Sequence, residues 1–566
     1  MRERAGAVVD TVRRTGLFDP LSMAALGWSG TLWGPTPAAA YGAAALRYPN
    51  RIAIVDDFGP LTYGQLELRS GVLASGLRKR GLSRGDGLGI LCRNHRGFVE
   101  ATLAAAKLGA RPVLLNTGLP PAQLRAVIEA ESVSVVVADH DLAAPLTSME
   151  GPTVVVLVAD PERNPDRSFP DLDGRLPALP RPRNPFAAAM APIILTSGTT
   201  GAPKGTQRSV DPRALRSAFG VLEAIPYNRG DVMAIPAPLF HAWGFSHLAL
   251  AATLAATVVL RRRFDPETVL ADLDAHGATV LVAVPVMLQR ILTWDAGSAP
   301  TAEIDEVAQL DSLRIVASSG APLPGDLATR WMDRFGDNLY NLYGSTECGQ
   351  VSVAEPADLR RWPTTAGRPL PGIDVRILDG DDDDVDPGDV GEILVDSPAR
   401  FDGYTNGEQK RSVGNLLSSG DRGYIDEDGL LFVLGRADDM IISGGENVYP
   451  SNIERALLAD DAVEVAAVVG VADDDLGQRV RAVVVTGGPD QVVDPSSAGA
   501  TTRRLKAALR HELAGHEMPK EFVYVSELPR NQAGKVLRNQ LVGSRRSVPN
   551  QIRKPAISGS SEGPSS

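Results

Sequence analysis

From Ile52 onward, short β-branched runs alternate with helical ones, and this rhythm constrains the fold more than any other property of the chain. IAIV (52–55) reads as a strand, and Thr62 can cap a helix running towards Arg80. GLGILC (87–92) reads as a strand and HRGFVEATLAAAKLGA (95–110) as a helix ending at a glycine. RPVLLN (111–116) is a strand, PPAQLRAVIEAE (120–131) a helix opened by proline, and VSVVVAD (133–139) a strand. Nearly continuous Val, Ile and Leu runs need cover on both faces, and helices between parallel strands supply it. The pattern predicts an α/β chain.

The rhythm is interrupted once and then changes. Seven prolines between Pro161 and Pro185 suit an irregular surface connection. The alternation resumes through TVVLRRRF, ATVLVAVP (278–285) and LRIVASSG (313–320). After Thr364, Gly/Asp-rich turns separate short strands over about 364–435, as in a small β-barrel or sandwich. A further α/β segment runs from Met440 to Val542, and the Ser/Pro/Gly-rich end, 544–566, is expected to be disordered. At roughly 150 residues per domain, 566 residues allow two to four domains.

Composition excludes several function classes. Apolar residues at 43% and charged residues at 22% are an ordinary globular balance. A net charge of −12 without a dense basic block argues against nucleic-acid binding. Two cysteines, Cys92 and Cys348, exclude a disulfide framework and suit a reducing cytoplasm. The most apolar stretch, His247 to Leu260, stops at three arginines, short of the roughly 20 residues of a membrane span. Near the start, Glu3 and Asp10 interrupt the basic residues, and no export signal follows. The expectation is a soluble cytoplasmic protein, with docking on a membrane surface left open.

The strongest chemical signal is ILTSGTTGAPKGTQRS, residues 193–208. An apolar strand enters a Gly/Ser/Thr loop with one lysine, Lys204, so backbone N–H groups and hydroxyls can approach an oligophosphate. It is not the P-loop of NTPases, because Pro203 precedes the lysine where that pattern needs glycine. TSGTTGAPKG closely resembles the phosphate-binding signature of the adenylate-forming superfamily, and further motifs follow in the family's order over roughly 50–540.

The resemblance implies roles residue by residue. Thr196, Ser197, Gly198, Thr199, Thr200, Gly201 and Lys204 would hold the ATP phosphates. SSGAPLP (318–324) resembles the adenine-pocket segment, with Gly320, Ala321 and Pro322. In NLYGSTE (341–347), Tyr343 would lie against adenine, with Gly344 and Ser345 beside it, Thr346 at the α-phosphate and Glu347 on Mg²⁺, Thr196 being a second metal candidate. SSGDRGYIDEDG carries Asp421 for the ribose hydroxyls, and GRADDMIISGGENVYPSNIE carries Arg436 for the ribose site and Asp438 as hinge. Ser443, Gly444, Gly445 and Glu446 would line the CoA tunnel, where glycine lets backbone approach a slender ligand. PRNQAGKVLRNQL supplies the C-terminal lysine, Lys535. Implied domains are an AMP-binding domain over 1–437 and a mobile lid over 438–543.

Physical chemistry supports these residue types. Acyl-adenylate formation has a carboxylate attack the α-phosphorus while pyrophosphate leaves, which needs positioning and charge neutralisation. The reading is an ATP-dependent acyl-CoA synthetase using Mg²⁺ and CoA, with a medium- or long-chain fatty acid as first choice. Its pocket would be lined by His241, Trp243, Gly244, Val284 and Met287, in apolar segments without a buried cation; aryl acids also fit. A carrier-loading adenylation module, a fatty acyl-AMP ligase serving an acyl carrier protein, a luciferase-like oxygenase and a non-catalytic nucleotide binder are the alternatives. No carrier domain follows Val542, and the terminal Gly-Pro-Ser-Ser lacks a peroxisomal Ser-Lys-Leu. Ser419 replaces the commoner threonine, and Ile442 stands where many relatives carry lysine. The acidic run 379–389 reads as a solvated turn, Cys348 as a packing residue, and His241 with His247 as no zinc site. Oligomeric state is not legible.

Overall fold

The computed structural model describes residues 2–147, 154–158, 190–196, 203–209, 214–297, 310–443, 446–460, 462–473, 475–486, 495–531 and 534–542. The proline-rich connection, for most of its length, and the C-terminal tail lie outside the described residues. The chain divides into two compact units, Met1–Ala437 with Asn531–Lys535, and Asp438–Arg530 with Val536–Ser566.

In the first unit, two large sheets carry the α/β alternation. One orders its strands Gly403–Tyr404, Lys204–Gln207, Ile193–Thr196, Arg111–Leu114, Gly87–Leu91, Val133–Asp139, Val154–Val158. All five residues of Gly87–Leu91 are buried, as expected of a central parallel strand. The second sheet has nine strands, with Ile315–Ser318 between Val280–Ala283 and Leu339–Ser345 near its middle. The strands at the sheet centres pair in parallel, as the alternation of strands and helices implies. At the edges, hairpins turn antiparallel, because a short turn cannot make the crossover a parallel neighbour requires.

Local signals explain the helices. Thr62 accepts from the Gln65 amide while the Gln65 side chain accepts from the Thr62 amide, a reciprocal cap that starts Tyr63–Lys79. Arg96–Leu108 is buried along nearly its whole length, and Gly109 ends it in the left-handed conformation. The apolar stretch from His247 is split between the helix Ala242–Thr253 and the strand Thr257–Val259. Among the described residues, no helix is long and apolar enough to cross a membrane.

Three N-terminal helices, Arg2–Thr15, Pro20–Trp33 and Pro37–Arg47, were not legible in the sequence pattern. The middle one carries no charge and leaves Leu21 and Trp28 exposed. After Thr364 the chain forms a five-stranded antiparallel sheet built on Leu416–Ile425 and Gly391–Asp396. Its acidic turn is exposed and pairs at the surface, Asp384 with Arg376 and Asp382 with Arg411.

The second unit is a smaller sheet of Glu446–Val448, Ile441–Ser443, Gly477–Thr486, Val463–Asp473 and Glu521–Tyr524. Ile453, Leu457, Leu505 and Leu509, from its helices Pro450–Leu458 and Pro495–Leu509, pack on Val468, Val480 and Val484.

Candidate active site

Sheet register explains why motifs far apart in sequence meet. Ala283 pairs with Ser318, and Ser318 with Asn341, on three adjacent parallel strands. The residues that follow these pairs, Val284–Met287, Gly320–Pro322 and Tyr343–Glu347, therefore run out toward the same end of the strands. Carboxyl ends of parallel strands are where open α/β sheets bind ligands.

Tyr343 and Asp421 form the centre of this region. The Tyr343 hydroxyl donates to Asp421 Oδ2 at 2.6 Å. Arg436, paired in register with Asp421 across two antiparallel strands, brings Nη1 to 3.7 Å from Oδ1 and donates to the Ser419 carbonyl at 3.3 Å. Gly420 has φ +81°, and a Cβ there would meet the Arg436 guanidinium at 3.0 Å, so the turn needs glycine. Burial pushes the Asp421 carboxyl above the usual carboxylate range, against the Tyr343 hydrogen bond and the charges of Arg436, Lys410 and Lys535. Lys535 ends a tight turn in which its N–H donates to Asn531 Oδ1 at 2.9 Å. The segment Asn531–Lys535 groups with the first unit.

Glu347 lies one turn further. Its Oε1 accepts from the Tyr404 hydroxyl at 2.8 Å, and its carbonyl accepts from the Phe401 amide at 2.8 Å. Burial, then the nearby Glu347 carboxylate, raises the Tyr404 phenol, so it stays a donor. The Ser345 hydroxyl accepts from the Glu347 and Cys348 amides and fixes the turn. Gly344 is equally constrained, since a Cβ would sit 2.3 Å from the Gly349 carbonyl oxygen. Lys204 pairs with Glu408 at 2.5 Å and lies 5.5 Å from the centre of the Tyr404 ring. Thr196 donates to the Lys204 carbonyl across the hairpin at 3.3 Å. Tyr404 and Glu408 carried no signal in the sequence reading; a Gly-Tyr turn followed by acid is too common to read. Ser197, Gly198, Thr199, Thr200 and Gly201 lie outside the described residues.

The two segments expected from sequence to line the acyl pocket are tied together. Trp243 Nε1–H donates to the Ala283 carbonyl at 3.0 Å, and its indole meets His247 edge-on. His247 bonds the Trp243 carbonyl through Nδ1 and the Tyr227 hydroxyl through Nε2 at 2.8 Å. A carbonyl only accepts, so Nδ1 carries the proton and Tyr227 donates. Burial pushes both His241 and His247 down to about 4, so this wall is uncharged at neutral pH. Val284 and Met287 are buried, and a Cβ on Gly320 (φ +87°) would touch Val284 at 3.4 Å.

In the second unit, Ser443 pairs with Glu446 across a hairpin whose Gly444 and Gly445 lie outside the described residues. Asp438 is that unit's first residue and is exposed, and Ile442 is 52% exposed.

One further cluster invites a metal: Cys92, His95 and Asp139, with ligand atoms within 4.8 Å. Its hydrogen bonds argue otherwise. His95 Nδ1 accepts from the Gly97 amide and Nε2 donates to Asp139, so neither nitrogen has a free lone pair. Arg93 and Arg262 each reach Asp139 at 3.2 Å, and burial keeps the Cys92 thiol protonated. Cys348 is likewise a buried thiol, pushed up to about 11 mainly by burial, in keeping with packing.

The sequence model of AMP-binding enzymes matches residues 42–405, and that of the AMP-binding enzyme C-terminal domain matches 452–535. The chain belongs to the AMP-binding enzyme family. A feruloyl-CoA synthase of Amycolatopsis sp is 31% identical over 498 residues, covering 87% of this chain and 96% of the relative. A 2-succinylbenzoate–CoA ligase of Bacillus subtilis is 30% identical over 505 residues, 88% of this chain and 96% of the relative. The o-succinylbenzoate CoA synthetase from Bacillus subtilis, solved with ATP and magnesium ion, superposes with a TM-score of 0.73 at 29% identity, covering 89% of this chain and 98% of that one. Within its family this chain is an AMP-forming acid–thiol ligase that uses ATP, Mg²⁺ and CoA and passes through an acyl-adenylate.

The residues present fit the metal. Glu347 offers a carboxylate, the hard oxygen donor Mg²⁺ takes together with substrate phosphates and water. When bound, Mg²⁺ supplies positive charge to the triphosphate.

Proposed function

We propose that the chain activates an aromatic carboxylic acid and transfers it to CoA. The acid's carboxylate oxygen attacks the α-phosphorus and pyrophosphate leaves; the CoA sulfur then attacks the acyl carbon and AMP leaves. The observation that carries the aromatic choice is Trp243, hydrogen-bonded to Ala283 and set edge-on to His247. This links the two lining segments into a stiff, uncharged wall. A flat ring suits such a wall; a long hydrocarbon tail would have to disrupt it. The named activities of the relatives, on ferulate and succinylbenzoate, support the same ranking. The fatty acid, first choice from sequence, becomes the second reading.

In this reading Lys204 and its loop hold phosphates, Tyr343 stacks on adenine, and Asp421 with Arg436 takes the ribose. Thr346 meets the α-phosphate, and Lys535 neutralises charge as pyrophosphate departs. Asp438 is the pivot that exchanges Lys535 for the hairpin of Ser443, Gly444, Gly445 and Glu446 between half-reactions. A panel of benzoates, cinnamates and C6–C16 fatty acids, scored for pyrophosphate and then thioester, tests the substrate. The aromatic acids should give the higher kcat/KM, and a fatty acid preferred over every aromatic one would reverse the ranking.

A further inference from the structure

One cation beside the metal carboxylate has no role in the reading above. Arg208 follows directly on the strand Lys204–Gln207, the outgoing leg of the phosphate-loop hairpin. That strand also pairs with Gly403–Tyr404, which carries the phenol bonded to Glu347. Arg208 Nη2–H donates to the carbonyl oxygen of Thr346. Its Nε is shut off from solvent and has no hydrogen-bond partner among the described residues. No described carboxylate lies within ion-pair distance of it. Asp402 accepts from Ser209 at 3.1 Å and Glu347 from Tyr404 at 2.8 Å.

Arg208 is half-buried, and its shut-off Nε–H loses hydration that the one carbonyl on Nη2 does not replace. Burial accordingly pulls its pKa down, opposed by Glu347, Cys348 and Asp402. A buried donor left without a partner is unfavourable until an acceptor completes it, and a cation favours an anionic one. Phosphate suits such a group, because it brings several oxygens that a guanidinium binds with charge-assisted hydrogen bonds. The adjacent groups point to the same ligand: Lys204 in the same hairpin, and Thr346 in the segment read as meeting the α-phosphate.

We propose that Arg208 binds the triphosphate of ATP directly, so that part of the nucleotide's charge is neutralised by the protein without the metal. The proposal rests on the reading of this region as the ATP site. A chain that carries this charge itself should hold ATP measurably in the absence of Mg²⁺, and adenosine, which has no phosphate, should be indifferent to it.

The test is calorimetric titration with ATP and with adenosine in EDTA, for wild type, Arg208→Gln and Arg208→Lys. Gln retains a donor for the Thr346 carbonyl but removes the charge, whereas Lys retains the charge but not the planar guanidinium. Arg208→Gln should weaken metal-free ATP binding about tenfold or more, the loss of a charge-assisted contact, and leave adenosine binding unchanged. Arg208→Lys should fall between. Equal metal-free ATP affinity in wild type and in whichever variant still binds adenosine overturns the proposal. So does a parallel loss of ATP and adenosine, which marks a purely structural arginine. Failure of wild type to bind either ligand would instead refute the location of the nucleotide site.

Discussion

Tyr343→Phe keeps the ring proposed to stack on adenine and removes only the hydroxyl, and with it the 2.6 Å hydrogen bond to Asp421 Oδ2. A hydrogen bond to an ionised group is worth about 1.5–3 kcal/mol. Asp421 keeps Arg436 at 3.7 Å, and its side chain is 13% exposed, so water and charge can partly replace the phenol. The low end therefore applies, about 1.5 kcal/mol or about a tenfold loss. It should fall on ATP: KM for ATP rises about tenfold while KM for the acid holds. The pH profile gives an independent check. Burial already holds the Asp421 carboxyl above the ordinary range, and the Tyr343 hydroxyl acts in the opposite direction. Removing that hydroxyl raises the carboxyl further. Ribose hydroxyls donate to the ionised form, so ATP affinity falls as pH drops through the Asp421 pKa, and in Tyr343→Phe the fall begins at higher pH. Pyrophosphate release against ATP concentration, repeated across a pH series, reads both effects. An unmoved KM for ATP, or an acid limb that stays or shifts downward, refutes the reasoning.

Glu347→Gln should cost roughly 3–4 kcal/mol of adenylation barrier with circular dichroism unchanged, and undiminished pyrophosphate release at saturating ATP and Mg²⁺ counts against its role. Lys535→Ala should abolish acyl-AMP formation yet convert supplied acyl-AMP and CoA to thioester. Asp438→Pro, with φ locked and the amide donor removed, should do the reverse; equal slowing of both half-reactions in both variants would dismiss the hinge. Gly244→Ala places a Cβ 2.5 Å from the Pro238 carbonyl oxygen and 2.8 Å from that of Ala237, both backbone. It should destabilise by about 1–3 kcal/mol, seen as a lower urea midpoint at unchanged slope.

Local chemistry was the legible part. Thr62, Gly109 after Leu108, and the Val-rich strand Val133–Asp139 announce themselves because cap, C-terminus and strand are written in adjacent residues. The α/β class follows from them. The nucleotide motifs were equally legible as separate segments. Their mutual contacts were not: Tyr343 and Asp421 stand 78 positions apart, and no spacing rule predicts that one orients the other. Arg208 sat inside the most conspicuous motif, yet its partner, Thr346, is 138 residues away. The N-terminal helices escaped for another reason. Pro37–Arg47 is largely alanine and buried, and Pro20–Trp33 lacks charge, so neither shows the polar–apolar contrast that periodicity needs.

The hairpins at the sheet edges have a kinetic meaning. Ile193–Thr196 pairs with Lys204–Gln207, and Leu339–Ser345 with Gly349–Ala354, each joining strands adjacent in sequence. The parallel pairs beside them join distant segments, Ile54 with Val258 and Val113 with Ile193. Closing a short loop costs little chain entropy, whereas non-local pairing must first gather the intervening chain. Hairpins form on a scale of about 1–10 μs. The hairpins that hold Lys204 and Glu347 can therefore form locally and early, before the parallel pairs beside them are gathered.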